Sequence, residues 1–214
     1  MTWALAERRL YLCTSDRPDL ERFVADCVEG GVDVVQLRDK SLDARPLLAR
    51  ARALRKVCRT LGVPFVLNDR PDLALEAEAD GVHVGQDDAP AALARRIMGP
   101  EALVGLSTHA EPDLVAAAAE PVDYISAGPV VATPTKPGRP PAGPAYAAMA
   151  SARSTVPVFV TGGVSPDTVA PLAALGVTHF VVVRWLTEAS DPHGAARALR
   201  RAVDEALDPE RSRP

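Results

Sequence analysis

An amide and two cations stand together at the end of one short apolar run, and they are the residues best suited to chemistry. Residues 34–37 read as a buried strand that contains Gln36, and Arg38 and Lys40 follow directly. Side chains along a strand alternate between its two sides, so these three point the same way. Such a group favours a phosphorylated or pyrophosphorylated small molecule. A solvated strand end that leads into a helix is the alternative.

Two carboxylates follow the next two predicted strands. Asp69 comes after the third strand, and Asp88 comes after the fourth, beside the less favoured Asp87. The mouths of adjacent parallel strands lie roughly 5 Å apart, and two carboxylates at that separation suit Mg²⁺ together with substrate phosphates. The sequence therefore predicts a magnesium site at Asp69 and Asp88. The alternative for Asp69 is a cap on the helix that begins near Pro71.

A second anion site is indicated near the end of the chain. Gly162 and Gly163 follow the seventh predicted strand, and Ser165 and Pro166 open a helix, so backbone N–H groups are left free in the turn. In eight-stranded α/β barrels the loops after strands seven and eight commonly bind a phosphate group. Arg184, after the eighth strand, would add positive charge there. Two anion sites imply two small phosphorylated substrates.

The other reactive residues do not form a nucleophile. No G-x-S-x-G motif is present, and no cysteine stands at a charged strand end, so the cysteines are interpreted as small core residues. His83 lies in an apolar strand and is predicted to be a core residue or a support for a neighbouring group. His109, at a strand mouth, fits a catalytic role and a structural role equally well. His179 and His193 are predicted to lie on the surface.

These clusters need a scaffold that brings strand ends together. Short apolar runs alternate with longer amphipathic segments eight times between Leu10 and Leu207. Eight such units predict an α/β fold, a single (β/α)8 TIM barrel domain over residues 1–207, with residues 208–214 as a disordered tail. An open doubly wound sheet is the alternative, although it usually has fewer strands.

One connection is much longer than the others. Residues 128–144 separate the sixth predicted strand from its helix and are rich in proline. Loops of this length inside a compact domain are often functional. Thr133, Thr135 and Lys136 supply hydroxyl and ammonium donors to it. The segment is therefore predicted to be an active-site flap rather than a linker.

Composition limits the partners and the location. A net charge of −4 gives no general attraction to nucleic acid or to anionic membranes, and an aromatic content of 4% leaves little surface for base stacking. No apolar run reaches the roughly 20 residues that span a bilayer. The first residues also lack the apolar core of a signal peptide. We expect a cytoplasmic protein that binds neither nucleic acid nor membrane.

Taken together, these segments resemble the thiamine-phosphate synthase family. Each motif alone is weak, but the set is specific because it occurs in family order and at family spacing from about Leu10 to Leu207. The motifs are residues 36–40, 68–69, 81–88, 107–109, 128–129 with 133–137, 162–164 and 182–184. The resemblance implies a Mg²⁺-dependent (β/α)8 transferase of thiamine biosynthesis.

The resemblance also implies the substrates and the residues that bind them. The pyrimidine 4-amino-2-methyl-5-hydroxymethylpyrimidine diphosphate would be joined to 4-methyl-5-(2-phosphooxyethyl)thiazole by a dissociative route, with loss of pyrophosphate. Asp69 and Asp88 would hold Mg²⁺. The pyrimidine diphosphate would be bound by Gln36, Arg38, Lys40, Asn68, Ser107 and Lys136, and the catalytic candidates among these are Arg38, Lys40, Ser107 and Lys136. The thiazole phosphate would be bound by Thr133, Thr135, Gly163, Val183 and Arg184.

Two other functions stay open. A thiazole tautomerase resembles this family and uses a histidine, for which His109 is the candidate, although it needs no diphosphate-binding set. A non-catalytic phosphate-binding barrel would be expected to lack one of the cations or carboxylates. Trp185 replaces the small residue that is usual in the family, and it either reshapes the thiazole-phosphate site or turns into the layer between barrel and helices. Because family members often oligomerise, a homo-oligomer is also an open expectation.

Overall fold

Eight parallel strands form a closed barrel. In this computed structural model, which describes residues 3–132 and 140–208 of the 214-residue chain, each strand pairs with its sequence neighbours and the first strand pairs with the last. The strands are β1 (Leu10–Thr14), β2 (Val34–Leu37), β3 (Phe65–Asn68), β4 (Gly81–Val84), β5 (Leu103–Thr108), β6 (Tyr124–Ala127), β7 (Val158–Thr161) and β8 (His179–Val182). The predicted (β/α)8 TIM barrel is confirmed, and the open doubly wound sheet is wrong.

Helices connect the strands. They are α1 (Leu20–Glu29), α2 (Ala44–Leu61), α3 (Pro71–Glu76), α4 (Ala91–Met98), α5 (Glu111–Ala117), α6 (Gly143–Arg153), α7 (Pro166–Ala173), α8 (Arg184–Thr187) and α9 (Pro192–Leu207). Gly62 closes α2 with a left-handed φ of 70°, as the sequence predicts. The sequence does not predict α8, because one turn is too short to show a helical period. Within the ranges that the structure describes, no helix combines the length and apolarity needed to cross a membrane.

The side chains of the strands divide between two apolar layers, because successive residues point to opposite sides. Leu12 and Phe65 pack outward in the layer between barrel and helices. Tyr11, Tyr124 and Phe159 belong to a smaller cluster inside the barrel. The Phe159 ring makes T-shaped contacts with both tyrosines, at centroid distances of 5.2 and 5.5 Å. Aromatic rings therefore fill the barrel interior, and a space of about 60 Å³ remains among its polar residues.

Two predictions about buried residues have different outcomes. The three cysteines are buried and form no disulfide within the described ranges, as predicted, and burial raises the pKa of the Cys27 and Cys58 thiols to about 12. The predicted surface position of His179 is wrong, because this residue begins β8, is 7% exposed and has Nε2 3.2 Å from Arg9 Nη1. The strand starts one residue before the apolar run does, so a polar residue takes a buried strand position.

Candidate active site

The carboxyl ends of all eight strands meet at one rim, and two cavities open there. We call them the first opening, of about 210 Å³, and the second opening, of about 590 Å³. The first opening is lined by Arg38, Lys40, Asn68, Asp69, Gly85, Gln86, Asp87, Asp88, Ser107 and His109. Gln36 lines the small space inside the barrel, together with Arg38, Asn68 and Ser107. The fold thus brings together the residues predicted after β2 to β5.

Lys40 and Asp69 form an ion pair in the first opening. Lys40 Nζ lies 2.7 Å from Asp69 Oδ2. Asp69 has a φ of 63°, a left-handed conformation in which Asp is enriched, and its N–H donates to the carbonyl of His83 at 2.8 Å. Helix α3 has Arg70 at its N-cap position. The alternative in which Asp69 caps this helix is therefore wrong, and its carboxylate is directed to Lys40.

Asp88 completes a carboxylate pair with Asp69. Its Oδ2 accepts a hydrogen bond from the N–H of Gly85 at 2.9 Å. Burial raises the pKa of Asp69, and Asp88 raises it further, while Lys40 opposes both effects. Burial also raises the pKa of Asp88, but hydrogen bonds from Asp69 and Gly85 and the charges of Lys40 and Arg38 outweigh it and leave this pKa below its usual value. The two carboxyl groups therefore influence each other's pKa in opposite directions, with Lys40 lowering the pKa of both.

The donor set fits a hard cation that is held partly by its substrate. Among the residues described, no group of three or more His, Cys, Asp or Glu side chains is arranged to hold a metal ion. Mg²⁺ commonly takes only one or two carboxylates and completes its shell with waters and substrate phosphates. Asp69 and Asp88 supply that number of carboxylates, and Lys40 and Arg38 line the same opening. The pair therefore suits Mg²⁺ in company with a phosphorylated ligand.

Buried polar side chains lie beneath the first opening. His83 Nε2 is 2.9 Å from Ser107 Oγ, and His83 Nδ1 is 3.2 Å from the Tyr124 hydroxyl. The prediction that His83 is a core residue supporting a neighbouring group is confirmed. Sequence reasoning misses Tyr124, for which the available signal is a phenol at an inward-facing position of an apolar strand.

His109 joins two strand ends. Its Nδ1 donates to the carbonyl of Gly128 at 2.5 Å, and its backbone N–H donates to Asp113 Oδ2 at 2.8 Å. These bonds connect the segment after β5 to the segment after β6 and to the first turn of α5. The sequence leaves a catalytic and a structural role open for His109, and these contacts support the structural role.

The second opening is built largely from backbone and apolar groups. Gly162 and Gly163 have φ values of 102° and 78°, and a Cβ added to Gly162 would lie 2.6 Å from the backbone nitrogen of Val130. Glycine is needed here for both reasons. Ser165 follows, and its N–H donates to Thr168 Oγ1 at 2.9 Å as α7 begins. The turn after β7 therefore places glycine backbone, without side chains, along the wall of the second opening.

Val183, Arg184 and Trp185 line the second opening at the end of β8. Trp185 Nε1 donates to the carbonyl of Ala195 at 3.1 Å, and the residue is 39% exposed. The indole therefore forms part of the cavity wall and does not turn into the layer between barrel and helices. Sequence reasoning misses two acidic residues, Glu188 and Asp191, that also line this opening.

Part of the predicted set cannot be placed. Thr133, Thr135 and Lys136 fall within residues 133–139, outside the described residues. Their positions on the flap stay predictions, and so does the disorder of the tail over residues 209–214.

A closed barrel with a charged and a glycine-lined opening at one rim defines the class, a (β/α)8 barrel with two polar openings at the carboxyl ends of its strands. The sequence profile of the thiamine monophosphate synthase family matches residues 10–186. The chain is 47% identical to a thiamine-phosphate synthase of Thermobifida fusca (strain YX) over 93% of this chain and 94% of that protein. It is 43% identical to a thiamine-phosphate synthase of Mycobacterium sp. (strain KMS) over 94% of each. The chain belongs to the thiamine monophosphate synthase family.

Solved structures agree with this assignment. Thiamine phosphate pyrophosphorylase from Pyrococcus furiosus superposes with a TM-score of 0.85 at 29% identity, over 93% of this chain and 96% of that chain. The 3-hexulose-6-phosphate synthase from Salmonella typhimurium superposes with a TM-score of 0.68 at 19% identity, over 92% of this chain and 99% of that chain. The second likeness is one of fold alone.

Proposed function

We propose that this protein joins 4-amino-2-methyl-5-hydroxymethylpyrimidine diphosphate to 4-methyl-5-(2-phosphooxyethyl)thiazole, giving thiamine phosphate and pyrophosphate. The observation that carries the proposal is the cluster of Lys40, Asp69 and Asp88 in one opening, at the same rim as a separate glycine-lined opening. Two openings at one rim can hold two phosphorylated substrates side by side.

The first half of the reaction breaks the bond between the methylene carbon of the pyrimidine and the diphosphate oxygen. The electron pair leaves with the pyrophosphate, and Arg38 and Lys40 stabilise the charge that accumulates there. Gln36, Asn68 and Ser107 bind the same substrate, and the resemblance adds Lys136. Mg²⁺ held by Asp69 and Asp88 would supply further neutralisation of the diphosphate oxygens.

In the second half, the aminopyrimidine delocalises the resulting cation until the thiazole nitrogen bonds to the methylene carbon. This dissociative route needs no enzymic nucleophile, which agrees with the lack of a nucleophile motif in the sequence. Gly163, Val183 and Arg184, with Thr133 and Thr135, bind the thiazole phosphate. The flap excludes water that would otherwise capture the cation.

The test is to incubate the full-length protein with both substrates and Mg²⁺ and to quantify thiamine phosphate and pyrophosphate. Equal amounts of the two products are expected, and omission of either substrate or chelation of the metal should abolish thiamine phosphate. Pyrophosphate release without thiamine phosphate, or no product at all, would contradict the proposal. A thiazole tautomerase would release no pyrophosphate, so the same assay separates the two activities.

A further inference from the structure

A continuous set of buried polar side chains crosses the barrel beneath the first opening. Gln36 Nε2 donates to the Tyr11 hydroxyl at 3.0 Å, and the Tyr11 and Tyr124 hydroxyls are 2.9 Å apart. The Tyr124 hydroxyl reaches His83 Nδ1 at 3.2 Å, and His83 Nε2 reaches Ser107 Oγ at 2.9 Å. We call these five residues the interior network. Its two ends, Gln36 and Ser107, are both assigned to the pyrimidine diphosphate.

The interior network is shielded from water, so each of its hydrogens needs a partner. Its five residues are between 1% and 7% exposed. Burial raises the pKa of both phenols well above the usual value, so both hydroxyls keep their hydrogens. A buried hydroxyl hydrogen without an acceptor destabilises the fold.

The direction of every hydrogen bond follows from this requirement. Because Gln36 donates to Tyr11, Tyr11 gives its own hydrogen to Tyr124, and Tyr124 gives its hydrogen to His83 Nδ1. Nδ1 must then be unprotonated, so the ring hydrogen of His83 is on Nε2 and is donated to Ser107 Oγ. If Nδ1 carried a hydrogen instead, one phenol hydrogen would have no acceptor within the network.

We infer that the interior network makes Ser107 a hydrogen-bond donor toward the first opening, and that Tyr124 is a positioning residue that acts through His83. Ser107 Oγ accepts from His83, and Ser126 Oγ donates to it as well at 3.4 Å. The hydrogen of Ser107 is therefore left for an acceptor in the opening that this residue lines. An anionic phosphate oxygen is the acceptor that fits. The inference deepens the proposed function and rests on it for the identity of that anion.

The orientation of the Gln36 amide, at the opposite end of the interior network, sets the direction of the hydrogen bonds. Cys13 Sγ donates to Gln36 Oε1 at 3.1 Å, which turns the amide nitrogen toward Tyr11. If the Gln36 amide were turned over, every bond in the network would reverse, and Ser107 would donate to His83 rather than to a ligand. The donor character of Ser107 on β5 is thus coupled to the amide orientation on β2.

The first test removes one hydroxyl. Tyr124→Phe keeps the ring that packs on Phe159 but takes away the donor to His83 Nδ1, so His83 Nε2 can accept the hydrogen of Ser107 instead. We expect the Kd for pyrophosphate with Mg²⁺, measured by calorimetry, and the KM for the pyrimidine diphosphate to rise about tenfold. The KM for the thiazole phosphate should not change. Tyr146→Phe, at a buried phenol of α6 outside the network, is the matched control and should change none of these values.

A double-mutant cycle separates positioning from a general loss of packing. If Tyr124 acts through Ser107, Tyr124→Phe should add little to the Kd for pyrophosphate in a Ser107→Ala background. Additive losses in the double variant would overturn the inference, and so would a loss with Tyr146→Phe as large as that with Tyr124→Phe.

The tautomer of His83 can be read directly by ¹⁵N NMR on the full-length protein without ligand, with His83→Gln to assign the signals. A protonated Nε2 and an unprotonated Nδ1 are expected. A protonated Nδ1 in the wild type would overturn the inference even if the protein makes thiamine phosphate. The expected tautomer in a protein that makes no thiamine phosphate would support the network and reject the proposed function.

Discussion

The two openings at the rim differ in size and in the kind of group that lines them. The first, of about 210 Å³, is lined by ionic side chains that already contact one another, such as Lys40 and Asp69 at 2.7 Å. The second, of about 590 Å³, is lined mainly by glycine backbone and apolar side chains, with Arg184, Glu188 and Asp191 as its ionic residues. The smaller opening thus carries most of the charge.

This difference matches what each substrate does in the proposed reaction. Charge changes where the diphosphate leaves, so preorganised ionic groups there lower the barrier. The thiazole phosphate keeps its charge throughout, so its opening only has to hold it, for which backbone N–H groups and an arginine are adequate. The comparison predicts that variants of the first opening reduce turnover, whereas variants of the second raise one KM.

The largest effect is expected from Asp88→Asn. Loss of one carboxylate from the pair should lower kcat by about 100-fold and weaken the dependence on Mg²⁺, because charge on the departing pyrophosphate is less well balanced. Steady-state kinetics over a range of Mg²⁺ concentrations measure both effects. Asp87→Asn, which removes the neighbouring carboxylate, is the matched control. Equal kinetics for the two variants would remove Asp88 from the proposed metal site.

A smaller and more selective effect is expected from Arg184→Ala. Loss of this guanidinium should raise the KM for the thiazole phosphate about tenfold or more, since a charge-assisted hydrogen bond to phosphate is lost. The KM for the pyrimidine diphosphate should stay near the wild-type value. Arg96→Ala, at an exposed position of α4, controls for the removal of a surface cation. If both KM values rose together in Arg184→Ala, the assignment of one substrate to each opening would fail.

Gly163→Ala tests whether backbone geometry matters in the second opening. At a φ of 78° an added methyl group is strained, and it would also meet Val131 Cγ2 at 2.5 Å. We expect a loss of about 1 kcal/mol in the free energy of unfolding, with a few-fold rise in the KM for the thiazole phosphate. Gly176→Ala has a similar φ of 87° but no neighbour within 4 Å. Gly176→Ala should therefore lose stability but keep the wild-type KM for the thiazole phosphate. An equal rise of this KM in both variants would show that backbone strain, and not the geometry of the second opening, causes the change.

The smallest effect concerns the opposite end of the barrel, where neither opening is involved. Burial and the charge of Arg9 lower the pKa of His179 to about 4, below the value of about 6.5 in an unfolded chain. Between pH 6.5 and pH 4, His179 therefore binds more protons in the unfolded state than in the folded state. The stability that neutral His179 contributes above pH 6.5 is lost as the pH falls toward 4.

Thermal denaturation at neutral and at mildly acidic pH checks this expectation. On going from neutral to mildly acidic pH, the Tm of His179→Gln should fall by a few degrees less than the Tm of the wild type. His193→Gln serves as the control for removing a histidine. The same fall in all three proteins would show that His179 does not contribute to acid sensitivity.

Much of the fold can be predicted because each unit carries its own signal. The apolar runs 34–37 and 124–127 coincide with β2 and β6, and Gly62 ends α2 where a helix stop is expected. The start of β8 is different, because His179 takes its place by pairing with Phe159 of β7. That pairing is set by closure of the barrel, which residues near His179 in the sequence do not encode.

The site can be predicted to a similar extent. Lys40, Asp69 and Asp88 meet because polar residues that follow parallel strands must collect at one rim. Tyr11 and Tyr124 escape prediction because a phenol in an apolar strand looks like any other core aromatic. Their role depends on which hydroxyl faces which, and only the packed barrel brings residues so distant in the sequence within 2.9 Å.

The pairing of β1 with β8 has a practical consequence for engineering. The segment before β1 lies near the end of α9, and Glu7 and Arg9 share a groove with Leu207 and Asp208. This groove lies at the amino-terminal face of the barrel, at the end opposite to both openings. A short linker between residues near Glu7 and Asp208 could therefore connect these two parts of the chain in a circularly permuted variant without reaching the rim.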